Sequence, residues 1–370
     1  MTPHSLFLKS FCLTVLVLAP LIILINGIMD PYGILGSFQA DWLNRQKPQA
    51  EHHQRLVQAI EISKIKPKVL FMGSSRTRAA MRPENLQPYT DEKVFNLGLS
   101  AVTVEEIYAY LEHAIFHQPE IKEVIIDLDL FMFNRNRKLN IEFDPNRLKK
   151  TGIILDDYVG SLFTFSTLTN SFLTFKHNFI QYLFPKKIHL NESRLFPTPK
   201  DWNFIKDIAI AHAWFGKYEI DPKQVAFYAN IAKVCHEKKI ALKIYFSPAQ
   251  DIYWETIFQK KLWPIFEDLK RDLCHIHPFF DFSGYNLVTA RKCEQPGEPL
   301  YTDCSHYTPL VGQWILAKLY HDQHLNNVPA FGHWMTSDKI EENLEQMRGE
   351  REEWAKIHRP LIESISQIIK

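Results

Sequence analysis

Short apolar runs that alternate with helical spacing predict an α/β fold built on a parallel sheet, tethered by one amino-terminal membrane helix. Two observations carry this. A charge-free apolar run extends from Phe11 to Met29, and strand and helix signals take turns across residues 66 to 322. The composition fits a folded chain. Of 370 residues, 46% are hydrophobic and 23% charged, which is enough apolar material for a sizeable core. With 43 Lys and Arg against 42 Asp and Glu, the formal net charge is +1 and gives no electrostatic case for a nucleic-acid partner. Five Cys without a CxxC pair exclude a disulfide scaffold and a zinc ribbon.

The run from Phe11 to Met29 has the length of a membrane span. Nineteen residues rising about 1.5 Å each cover roughly 28 Å. Pro20 lies inside the run, where a membrane helix tolerates it better than a water-facing one. A cleaved signal peptide and a buried core helix are the alternatives. The run is longer than a usual signal core and lacks an A-x-A site, which favours an uncleaved signal anchor. His4 and Lys9 precede it and Asp30 follows, so the amino terminus is expected in the cytoplasm and the main domain outside it, in the periplasm or at the cell surface. In that compartment a disulfide between Cys293 and Cys304 is plausible, whereas Cys235 and Cys274, on expected helices, read as small buried residues.

Residues 1–30 are thus the cytoplasmic tip and anchor, and 31–65 a juxtamembrane linker with a helix over 52–64. Strands are expected at 68–72, 94–96, 124–128, 241–246 and 278–282, and helices at 104–117, 222–238, 254–273 and 309–320. Five parallel strands covered on both faces make a flavodoxin-like, three-layer α/β/α core over 66–322. Residues 135–220 interrupt the alternation and read as a helical insertion. Within it, Leu155–Phe184 forms one or two helices that either pack on the domain or lie against the membrane. Residues 323–370 form a helical extension, with a charged helix over 337–358 packed through Ile340, Leu344, Met347 and Trp354.

Ligands in such sheets bind beyond the carboxyl ends of the strands. Those ends carry Gly73-Ser74-Ser75-Arg76, then Asn96-Leu97-Gly98, then Asp129, and before the last core helix Asp303-Cys304-Ser305-His306. Each has a plain structural reading. Ser75 caps the following helix, His306 packs, Asp303 is an acid at a helix start, and Arg76 sits in a solvated turn. Asp127 and Asp129 have no His or Cys near them in sequence, so no metal site and no cofactor are expected.

Taken in order, these segments resemble the blocks of the SGNH (GDSL-like) hydrolase superfamily. The similarity is greatest to its membrane-anchored envelope branch, which includes the alginate O-acetylation proteins and the D-alanyl transfer protein of teichoic acids. The resemblance implies Ser75 as nucleophile, His306 as its base, and Asp303 as the partner of the imidazole. It implies that the N–H groups of Ser75 and Gly98 bind the oxyanion, with Arg76 near an anionic substrate group. Ser74 stands where the family usually has Asp. Where the family offers an Asn side chain as oxyanion donor, this chain has Asp129, which cannot donate when ionised; either Asp129 does another job, Asn134 takes its place, or this donor is missing. The implied activity is that of a serine esterase or O-acyltransferase acting on acyl esters, acetyl among them, of envelope glycans, alongside a membrane acyltransferase partner. The alternative is a scaffold that keeps the fold without catalysis.

Overall fold

Strand β1 (Val69–Gly73) is buried at every residue and lies inside the sheet, as an all-apolar strand must. In the computed structural model, residues 3–148, 154–185, 208, 212–290, 299–325 and 328–369 are described. The chain begins with α1 (Pro3–Met29) and α2 (Gln54–Ile65), which precede β1. Then come α3 (Ser75–Ala80), β2 (Val94–Gly98), α4 (Val104–His117) and β3 (Glu123–Leu128). Helices α5 (Ile154–Phe163), α6 (Phe165–Leu183) and α7 (Pro222–Glu237) lead to β4 (Ala241–Phe246). The last third holds α8 (Asp251–Gln259), α9 (Trp263–Ile276), β5 (Phe279–Asp281), α10 (Pro309–Leu319), β6 (His333–Met335), α11 (Ile340–Ile357) and α12 (Arg359–Ile369).

The protein is α/β, with a six-stranded sheet of order β2-β1-β3-β4-β5-β6. The first five strands run parallel; β6 joins antiparallel to β5 and adds a sixth strand that the sequence did not signal. Three residues are too few to show alternation. The single helix expected over 254–273 is two. Lys261 between them takes φ +60°, and Pro264 in the first turn of α9 lacks the N–H that a continuous helix would need. Register places Gly73 level with Gly98, so the turns after β1 and β2 leave the sheet together.

Contacts divide the chain into two compact units, Met1–Lys64 with Glu142–Asn191, and Ile65–Ile141 with Glu192–Lys370. The sheet belongs to the second. One face of its core is built from Val69, Phe71, Ile125, Tyr245 and Phe282 with Val311, Ile315 and Leu316 of α10. In the first unit, α1 is long and apolar enough to cross a membrane. Its carboxyl end is tied into the unit by polar side chains. Asn26 Nδ2 donates to the carbonyls of Leu162 at 2.8 Å and Thr164 at 3.3 Å, and Ser171 Oγ donates to Asn26 Oδ1 at 2.9 Å. Just beyond, the Asp30 carboxylate accepts the N–H groups of Leu35, Gly36 and Ser37. Asn44 Nδ2 reaches the carbonyls of Ile28 at 2.7 Å and Phe38 at 2.8 Å.

Candidate active site

The chain leaves β1 through Gly73 at φ +151°, where a Cβ would lie 2.4 Å from Thr77 Oγ1 and 2.5 Å from Asp127 Cβ. Only glycine fits there. Ser74 follows in extended conformation as the N-cap of α3, its Oγ accepting the Arg76 N–H at 3.2 Å. The capping role considered for Ser75 therefore falls to Ser74. The same Ser74 hydroxyl donates to Asp127 Oδ2 at 3.1 Å, as does Thr77 Oγ1 at 3.0 Å, and Ser247 Oγ donates to Asp127 Oδ1. Asp127 is wholly buried on β3 and binds the β1–α3 turn to the end of β4. Burial pushes its carboxyl up to about 6, against the opposing pull of the Ser247 hydrogen bond and Arg76.

Ser75, half-buried at the start of α3, places Oγ 2.8 Å from His306 Nε2. His306 Nδ1 lies 2.7 Å from Asp303 Oδ2. The two loop residues are held by their own backbone. Asp303 Oδ1 accepts the N–H groups of Ser305 and His306, each at 2.7 Å, and Tyr301 bridges to Tyr307 across the loop. The Cys304 carbonyl accepts the Gln250 N–H at 2.8 Å. Helix α10 starts only at Pro309, with Thr308 in the cap position, so Asp303 is not a helix-start acid. Burial opposes the Asp303 charge, but His306 and the two backbone donors outweigh it and hold the carboxyl well below the usual carboxylate range. An ionised carboxylate only accepts, so Nδ1 carries the imidazole proton and Nε2 presents its lone pair to the Ser75 hydroxyl.

The residues expected around an oxyanion are engaged elsewhere. The Gly98 N–H donates to Asn96 Oδ1 at 2.9 Å. Asn96 Nδ2 in turn donates to the carbonyls of Thr77 at 2.9 Å and Met81 at 2.7 Å, lashing β2 to α3. A Cβ on Gly98 would lie 2.5 Å from the Arg78 nitrogen, so the glycine serves close packing. Arg76 and Asp129 form an ion pair whose side chains are 2% and 0% exposed. Tyr253 completes it, its hydroxyl donating to Asp129 Oδ1 at 3.1 Å and its ring lying 4.9 Å below the guanidinium. Burial works against the Arg76 charge, yet Asp129 beside it raises its proton affinity above the ordinary arginine range. Asn134 folds the chain after β3, donating to the Trp214 carbonyl at 3.4 Å and accepting from the Asn136 N–H at 3.1 Å. The pairing of Cys304 with Cys293 involves a residue outside those described. Among the described residues no group of three or more His, Cys, Asp or Glu is placed to hold a metal ion.

Sequence reasoning did not single out Ser247 or Tyr253, and it met Asn96 and Asp127 without seeing that they organise the site. Asp127 alone left a signal, as an acid inside the apolar strand Val-Ile-Ile-Asp-Leu. With this geometry in hand, comparison with known proteins adds no family: no protein-family profile matches the chain, and no curated protein matches its sequence.

Proposed function

We propose that the chain is a membrane-anchored serine esterase or O-acyltransferase of the SGNH type. In this reading the sheet unit is a flavodoxin-like, three-layer domain outside the cytoplasm. It acts on acyl esters, acetyl among them, of cell-envelope glycans, and works beside a membrane acyltransferase. One observation carries the proposal: the hydrogen-bonded chain Ser75–His306–Asp303, at 2.8 and 2.7 Å, beside the carboxyl ends of parallel strands.

The chemistry follows from those contacts. Ser75 Oγ attacks the acyl carbonyl as His306 Nε2 takes its proton, and Asp303 stabilises the imidazolium that results. Collapse of the tetrahedral intermediate breaks the ester bond, and His306 returns the proton to the departing sugar hydroxyl. Water or an acceptor hydroxyl then reverses the steps on the acyl-serine. The Ser75 N–H is the proposed oxyanion donor.

The test is turnover of p-nitrophenyl acetate by the full chain in detergent micelles. His306→Ala is expected to lower kcat/KM by about 100- to 10,000-fold and Ser75→Ala by at least as much. Equal turnover in all three proteins contradicts the proposal. A second reading, a scaffold that keeps the fold without catalysis, is favoured by one set of observations: Gly98, Asp129 and Asn134 all have their polar groups engaged within the fold. It expects no turnover above background in wild-type protein.

A further inference from the structure

Helix α6 is packed inside out. The side chains it buries within its unit are Thr167, Ser171, Thr174 and Asn178, all polar and all on one face at helical spacing. Three of them have a polar neighbour there: Ser171 on Asn26, Thr167 near Thr164 and Tyr32, and Asn178 on the Gln46 and Thr174 carbonyls. The apolar stripe of the same helix points outward. Phe165, Phe172, Phe179 and Leu183 follow one another at intervals of seven, seven and four residues, and all four are exposed. A helix folded by water would bury that stripe, since apolar side chains left exposed forgo the hydrophobic gain of burial.

What covers the stripe is indicated by where the helix is attached. The turn between α5 and α6 is hydrogen-bonded to Asn26, in the last turn of α1. Exposed aromatics gather at that level. Phe163 and Phe165 flank the Asn26 contacts, and Phe38, 79% exposed, is held beside Ile28 through Asn44. Phe and Leu side chains on one exposed face are what an amphipathic helix sinks into the headgroup–acyl boundary of a bilayer. An apolar groove of about 350 Å³ opens there, lined by Ile23, Leu24, Gly27, Ile28, Phe38 and Leu162. Lys176 stands exposed on α6, where an ammonium can reach lipid phosphates while its stem lies along apolar surface.

We infer that α6 is a second, interfacial membrane anchor, its Phe165–Phe172–Phe179–Leu183 stripe seated at the headgroup–acyl boundary of the leaflet that α1 enters. The helix lies on the membrane rather than crossing it, because its polar face is occupied by its own unit. The inference rests on the reading of α1 as a membrane span, and the experiment separates the two. Full-length chain carrying p-benzoylphenylalanine at 172, 179, 16 or 345 is reconstituted into phosphatidylcholine–phosphatidylglycerol vesicles, irradiated and analysed for lipid adducts. Position 16 reports on α1, and position 345, an exposed site on α11, gives the background. Adducts at 172 and 179 about tenfold or more above that at 345 are expected. Adducts at 16 with background levels at 172 and 179 overturn the interfacial anchor alone. Background at all three overturns the membrane span with it. Cross-links from 172 to a second copy of the chain in place of lipid also overturn the inference.

Discussion

Asp127 is a carboxyl that folding makes harder to ionise. Its ordinary pKa is about 3.9 and its folded value about 6. Between those values the folded state binds more protons than the unfolded one, so this group's contribution to stability falls as pH rises from about 4 to about 6 and is constant above. Its size is on the order of 3 kcal/mol. Urea unfolding of Asp127→Asn, which keeps the shape and can still meet three hydroxyls, is expected to show a flatter pH profile across that window than wild type. An unchanged profile would place the titration elsewhere. Asp303 acts with the opposite sign, stabilising above the unfolded carboxyl's pKa and losing that contribution as pH falls below it. The Arg76–Asp129 pair sets a third expectation. Asp129→Ala removes the carboxylate paired with a buried guanidinium, and the cost expected from denaturant unfolding is about 3–5 kcal/mol. A cost below 1 kcal/mol would mean that water reaches Arg76.

Among the elements, the junction of β2 with α3 decides how the candidate nucleophile is held. Gly98 approaches the Arg78 backbone too closely for a Cβ. Gly98→Ala is therefore expected to destabilise the fold by about 1–3 kcal/mol through overpacking, read as a shifted urea midpoint. A stability equal to wild type would return Gly98 to the role of substrate-side donor. The strands β1, β3 and β4 were legible from apolar runs bounded by turn residues, and α4 from its helical spacing; its cap, in which Thr103 Oγ accepts the Glu106 N–H at 3.3 Å, is a finding of the structure. Three features were not legible. β6 is too short to alternate, the break before α9 depends on one left-handed residue, and α6 reads as amphipathic without revealing that its polar face points inward. Which face is buried is a property of the neighbours, and the neighbours of α6 are α1 and the segment before α2, more than 100 residues away in sequence.

At the scale of the molecule, sequence order alone placed Ser75 and His306 beside the same sheet end, 231 residues apart, because parallel strands deliver their carboxyl ends to one edge. It could not foresee the surroundings of the expected oxyanion donors. Asp129 has its partner in Arg76, and Gly98 in Asn96, through side chains whose meeting depends on tertiary packing. The division into two units likewise follows contacts that composition does not encode, since residues 142–185 join the amino-terminal segment and not the sheet.

The central claim is that Ser75 is an activated nucleophile. Its most direct test is reaction of the full-length protein with a fluorophosphonate, in which a bond forms from Ser75 Oγ to phosphorus and fluoride leaves. Peptide mass spectrometry is expected to find the adduct on Ser75 in wild-type protein, to find none in Ser75→Ala, and to find labelling of His306→Ala slowed by about 100-fold or more. Folded wild-type protein that stays unlabelled, or that labels equally in His306→Ala, would contradict the claim and leave the scaffold.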